Sequence, residues 1–155
     1  MLVAHQEVSR LVPAPRQEVW DVLTDLDRRA EVLSAVVRVE RVDDGDAFGV
    51  GTRWRETRRA GRREETQELE ATEVDAPSSY RWRAEAHGSS YAGGVRLEPV
   101  EGGRCTRVVL TFGGEAQGLL PRALAVVTAP VGHRLVRRAL ETDLHDVHRA
   151  LGSRG

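Results

Sequence analysis

The spacing of apolar residues changes twice along the chain. Residues 3–12 read as a strand with weak alternation, ended by Pro13 and Pro15, which remove ladder donors and hold the chain extended. Val19, Val22, Leu23 and Leu26 then fall at i, i+3, i+4 and i+7, the stripe of an amphipathic helix, with Pro15 suited to its first turn. A second short helix is predicted over about 27–34. From residue 35 the period becomes two. Val37 and Val39 alternate with Arg38 and Glu40, DDGDAFGVG turns, and 52–74 reads as a long hairpin with its tip at Ala60-Gly61. After the DAPSS turn, Tyr80, Trp82, Ala84 and Ala86 share one strand face. Tyr91, Gly93, Val95 and Leu97 share another, and Thr106, Val108, Leu110 and Phe112 a third. The helical period returns over 119–151, where Leu140, Leu144, Val147 and Leu151 form a stripe; Pro130-Val131-Gly132 predicts a kink, or a second helix from about 131.

The order is strand, two short helices, about six strands, one long helix. A sheet with one apolar face must be covered, and the C-terminal helix is the only large element left to cover it. The expected fold is α+β: a strongly curved antiparallel sheet of about seven strands around that helix, in a single domain over 1–155. The length of 155 residues allows a sizeable core.

Composition narrows the function classes. Apolar residues are 40% and charged residues 30%, and the net charge is −1, so bulk charge gives no case for nucleic acid or an anionic membrane. One cysteine, Cys105, excludes an internal disulfide and disfavours a thiolate metal site. No apolar run approaches the ~20 residues of a membrane span. MLVAHQEVSR has no basic stretch leading into an apolar one, so the expectation is a cytoplasmic protein. A monomer or homodimer with no cofactor and no metal is a separate expectation.

The element order, together with VPAPRQEVWDVLTD at 12–25, VDAPSSYRWR at 74–83, LEPVEGGRCTRVVLTF at 97–112 and the C-terminal LVRRALETDLHDVHRAL, resembles the START-like helix-grip superfamily. Within it the chain resembles the polyketide cyclase/dehydrase and lipid-transport group, which includes birch-pollen-allergen-like proteins. The resemblance covers nearly the whole chain and implies an apolar cavity between sheet and long helix. It does not imply a reaction, because one fold hosts many functions.

The strand faces read as inward mix rings with small residues, leaving space for the helix or for a ligand. Trp54, Leu69, Tyr80, Trp82, Tyr91, Leu110, Phe112 and His133 are the candidate ligand-binding residues, with ring N–H, O–H and imidazole groups as orienting contacts. Trp20 reads as packing. Glu56 faces inward if the alternation from Trp54 is unbroken. The arginines at 53, 55, 58, 59, 62 and 63 read as a solvated hairpin face paired with Glu64, Glu65, Glu68 and Glu70. Asp143, His145, Asp146 and His148 read as a polar outer helix face rather than a metal site, and Cys105 as a bystander. No catalytic set can be placed. The leading expectation is binding of a hydrophobic or aromatic molecule of the polyketide, lipid or isoprenoid class. The alternatives are a polyketide cyclase or dehydratase, and a macromolecular partner held by the arginine-rich hairpin.

Overall fold

A computed structural model describes residues 2–86, 89–116 and 130–152. Strand β1 (Leu2–Val12) leads into α1 (Arg16–Thr24), a 3-10 turn (Leu26–Arg28) and α2 (Arg29–Val32). Strands β2 (Val36–Arg41), β3 (Arg53–Ala60), β4 (Arg63–Asp75), β5 (Ser79–Ala86), β6 (Ser89–Val100) and β7 (Cys105–Ala116) follow, then helix α3 (Pro130–Gly152). The seven strands form one antiparallel sheet in the order β1-β7-β6-β5-β4-β3-β2. Consecutive strands pair from β2 onward, and β1 closes against β7, so among the described residues β1 and β2 lie at the edges. This is the expected helix-grip arrangement.

The Pro13-Ala14-Pro15 corner is held by more than proline stiffness. Ala14 N–H donates to Val12 O at 2.9 Å, and the buried Thr106 hydroxyl donates to Ala14 O at 2.8 Å, tying the corner to β7. Helix α1 starts at Arg16, with Pro15 as its extended N-cap. Its buried face carries Val19, Trp20 and Leu23. Trp20 packs edge-on against Tyr80 with ring centroids 5.9 Å apart, the packing role its place on the helix suggests. The second helical segment is tighter than the sequence predicts: a 3-10 turn, then four α-helical residues ending at Val32.

Helix α3 has 23 residues, about 34 Å of length. It runs unbroken from Pro130 to Gly152, with no kink at Pro130-Val131-Gly132. The predicted helical stretch over 119–129 lies outside the described residues. Leu144, Val147 and Leu151 are buried against β1, α1 and β7, joining Val8, Val12, Val108 and Leu110 in the main core. A second core cluster, of Leu26, Trp54, Leu69, Ala71 and Ala84, lies toward the β3–β5 side.

Gly93 shows how closely the sheet packs on its concave face. A Cβ there would sit 2.4 Å from the Trp82 ring and 2.6 Å from the Thr111 carbonyl oxygen, which belongs to the backbone and cannot swing away. Gly93→Ala is therefore expected to destabilise the protein by about 1–3 kcal/mol, measurable as a lower urea midpoint at unchanged slope.

Candidate functional site

A cavity of about 420 Å³ lies between the concave face of the sheet and α3. Most of its wall is apolar. Leu69, Trp82, Val95, Leu110 and Phe112 come from the sheet, Leu33 from the end of α2, and Val136, Leu140 and Val147 from α3. Trp82 and Phe112 are tilted against each other at 5.9 Å. Exposed Arg59 and Ala60 of the β3–β4 hairpin and Leu135 of α3, 59% exposed, also line the cavity, so this end meets solvent.

The opposite character is concentrated in one patch of wall built from four charged side chains. Arg29 Nε donates to Glu56 Oε1 at 2.5 Å, and Arg58 Nε donates to Glu56 Oε2 at 2.6 Å. The two Nη atoms of Arg58 donate to both oxygens of Asp143, at 3.2 and 2.8 Å. The Trp54 indole N–H points at Glu56 Oε1 at 3.3 Å. This chain of contacts joins α2, β3 and α3, so it orients the wall and clasps the helix to the sheet. Strand alternation sets the β3 part: Trp54, Glu56 and Arg58 are successive inward positions.

Burial alone would push the Glu56 carboxyl up, but the two guanidiniums overcome this and hold it down at about 2. For Arg29, burial opposes the charge, and the carboxylates of Glu56 and Asp143 outweigh it, so the net shift is upward. Tyr80 lines the cavity beside this group, and burial is the main cause that pushes its phenol upward. It stays protonated at neutral pH and keeps an O–H to donate. Its ring is fixed from behind by Trp20 and by Phe48, whose centroid is 5.0 Å away.

Phe48 reaches this position from the β2–β3 loop, which is pinned by charge. Arg41 makes two bonds to Asp43 at 3.0 Å and donates to Ala47 O at 2.7 Å, while Asp43 accepts the N–H groups of Gly45 and Arg53.

Of the candidate residues, Leu69, Tyr80, Trp82, Leu110 and Phe112 line the cavity. Trp54 and Tyr91 are not among its described lining residues. Trp54 is 1% exposed in the second core cluster and touches the site through Glu56, and Tyr91 is buried against Phe112 at 5.8 Å. The side chain of His133 lies outside those described. Glu56 faces inward and is 5% exposed.

Two readings are corrected. Arg58 does not belong to the solvated hairpin face, because the alternation that turns Glu56 inward turns Arg58 inward as well. Arg53 and Arg55 do pair across the hairpin, both with Glu68. Asp143 and Asp146 do not belong to an outer helix face. Asp143 meets Arg58, and Asp146, 3% exposed, accepts the Ser34 N–H and hydroxyl at 2.8 and 2.7 Å. His145 is exposed and His148 half-buried, and among the described residues no three metal-binding side chains converge.

Residues 3–152 match the family model for polyketide cyclase / dehydrase and lipid transport. The chain belongs to this family. Solved structures with the fold of this family member include the ZhuI aromatase/cyclase from Streptomyces sp. R1128. That structure has 21% identity and a TM-score of 0.80, over 99% of this chain and 96% of that one. TTHA0849 from Thermus thermophilus has 23% identity and a TM-score of 0.77, over 97% of this chain and 99% of that one. A START superfamily protein from Mycobacterium smegmatis has 11% identity and a TM-score of 0.76, over 99% and 100%. At these identities the likeness is one of fold. No curated protein matches the chain. No helix among the described residues is long and apolar enough to cross a membrane.

Proposed function

We propose that this polyketide cyclase/dehydrase and lipid-transport family member binds a hydrophobic or aromatic small molecule of polyketide, lipid or isoprenoid type between its sheet and α3. The observation that carries the reading is the cavity itself: mostly apolar walls, one end meeting solvent, and a hydrogen-bonded group of charged side chains at Arg29, Glu56, Arg58 and Asp143. Affinity comes from burying ligand surface, roughly 25 cal/mol per Å² of apolar area before the costs of association. Orientation comes from Tyr80 and Arg29, which present O–H and N–H donors to a ligand oxygen.

The test is native mass spectrometry of the purified protein, with organic extraction of the same sample. A reproducible bound species, or uptake of an added apolar probe, supports the reading. Trp82→Ala, which removes one aromatic wall, is expected to weaken uptake at least several-fold while circular dichroism shows an intact fold. Uptake unchanged in Trp82→Ala removes this cavity as the binding site.

A second reading is turnover of a bound poly-ketone, by cyclisation or dehydration. It is favoured by the same donors, since Arg29 and Tyr80 could polarise a carbonyl. Glu56 is a poor proton acceptor for such a step: it is held ionised and both its oxygens already take guanidinium N–H bonds. Product formation from a synthetic poly-ketone, lost in Tyr80→Phe, distinguishes turnover from binding.

A further inference from the structure

Among the described residues, the charges that line the cavity balance. The described lining residues include three guanidiniums, Arg29, Arg58 and Arg59, and three carboxylates, Glu56, Glu65 and Asp143. Around Glu56 the balance is local as well as total. Glu56 takes one guanidinium bond on each oxygen, and Asp143 takes both of its bonds from Arg58. The pair of arginines is thus already matched by a pair of acids, within hydrogen-bond distance, with Arg29, Glu56 and Asp143 at 12% exposure or less and Arg58 at 30%.

This arrangement treats two kinds of ligand oxygen differently. A ketone, alcohol, phenol or ester oxygen can accept a bond from Arg29 or Tyr80 and adds no charge. A carboxylate would leave its hydration shell and bring an unbalanced negative charge beside Glu56 and Asp143, which is strongly unfavourable in a low-dielectric site. A pocket meant for an anion would carry guanidinium in excess; here the excess has been cancelled.

We propose that the cavity selects uncharged, oxygen-bearing hydrophobic molecules and rejects their carboxylate counterparts, because Glu56 and Asp143 neutralise its two inner arginines. The inference rests on the cavity being a ligand site and deepens that reading by naming the ligand's charge class.

The experiment titrates the full chain with matched probes, 1-decanol against decanoate and 2-naphthol against 2-naphthoate, by calorimetry at about pH 7.5, where a free carboxylate is ionised. The wild type is expected to prefer the uncharged member of each pair by roughly tenfold or more. Asp143→Asn and Glu56→Gln each leave one guanidinium unmatched. Each is expected to shift the preference toward the carboxylate by roughly tenfold, with folding checked by circular dichroism. Two variants guard against one that fails to fold, and the wild-type ratio stands without either. Equal or tighter carboxylate binding by the wild type overturns the selectivity and leaves the cavity reading intact. An unchanged ratio in folded variants overturns the assigned cause. Binding of none of the four probes overturns the cavity reading, and the selectivity falls with it.

Discussion

Glu56→Ala is expected to lower the unfolding free energy by about 3–5 kcal/mol. The loss is not that of one ion pair. It strips the carboxylate shared by Arg29 and Arg58, leaving two like charges near each other in a wall where Arg29 is 12% exposed, with Asp143 still paired to Arg58. It also removes the acceptor facing the Trp54 indole N–H. Glu56→Gln keeps the shape and an acceptor and should cost less, so the gap between the two variants measures the packing and hydrogen bonding apart from the charge.

The same carboxylate sets an acid limit. Its folded-state value is depressed from an ordinary 4.5 to about 2. A depressed acid stabilises the fold above its unfolded value and loses that stabilisation as pH falls through its folded value. The contribution is about 3 kcal/mol, present above about pH 4.5 and lost toward about pH 2. The upward shift of Arg29 reports the same attraction and adds nothing separate. Urea midpoints of wild type and Glu56→Gln should therefore converge as the pH is lowered through that window. Curves that stay parallel to about pH 2 would show that Glu56 is not held ionised by its arginines.

The second large effect is expected for Trp54→Ala, about 3–5 kcal/mol by denaturant unfolding. Trp54 is 1% exposed, surrounded by Leu26, Leu69, Ala71 and Ala84, with Phe48 tilted against it at 6.0 Å. Truncation leaves a hole the sheet cannot close, because β3 is hydrogen-bonded on both sides, to β2 and β4. Loss of probe uptake should accompany this only through disturbance of Glu56, since Trp54 is not among the described residues lining the cavity. A change below about 1 kcal/mol would show that the second core cluster is loosely packed.

Much of this molecule was legible in the order of its residues. Period-two segments after residue 35, the Val19–Leu26 stripe and the Leu140–Leu151 stripe were enough to place strands, short helices and the covering helix, because a backbone element has only two periodicities to choose from. The W-x-E-x-R spacing at 54–58 also contained the inward run of Trp54, Glu56 and Arg58. The dense run of arginines masks it, because Arg53, Arg55, Arg59, Arg62 and Arg63 are exposed and Arg58 alone of the series turns inward. Asp143 lies three residues after Leu140 and four before Val147, within the inward stripe, and its charge argued wrongly for the outside.

Arg29 and Phe48 had no such signal. One sits in a four-residue helix and the other in a loop, and neither segment has a period that assigns a direction. What the sequence determined by itself was therefore local: which segments are strands, which are helices, and which face of each is apolar. That three separated segments bring Arg29, Glu56, Arg58 and Asp143 into one balanced group was decided by tertiary structure. A buried charge is tolerated only beside its partners, and those partners are 27 and 85 positions away along the chain.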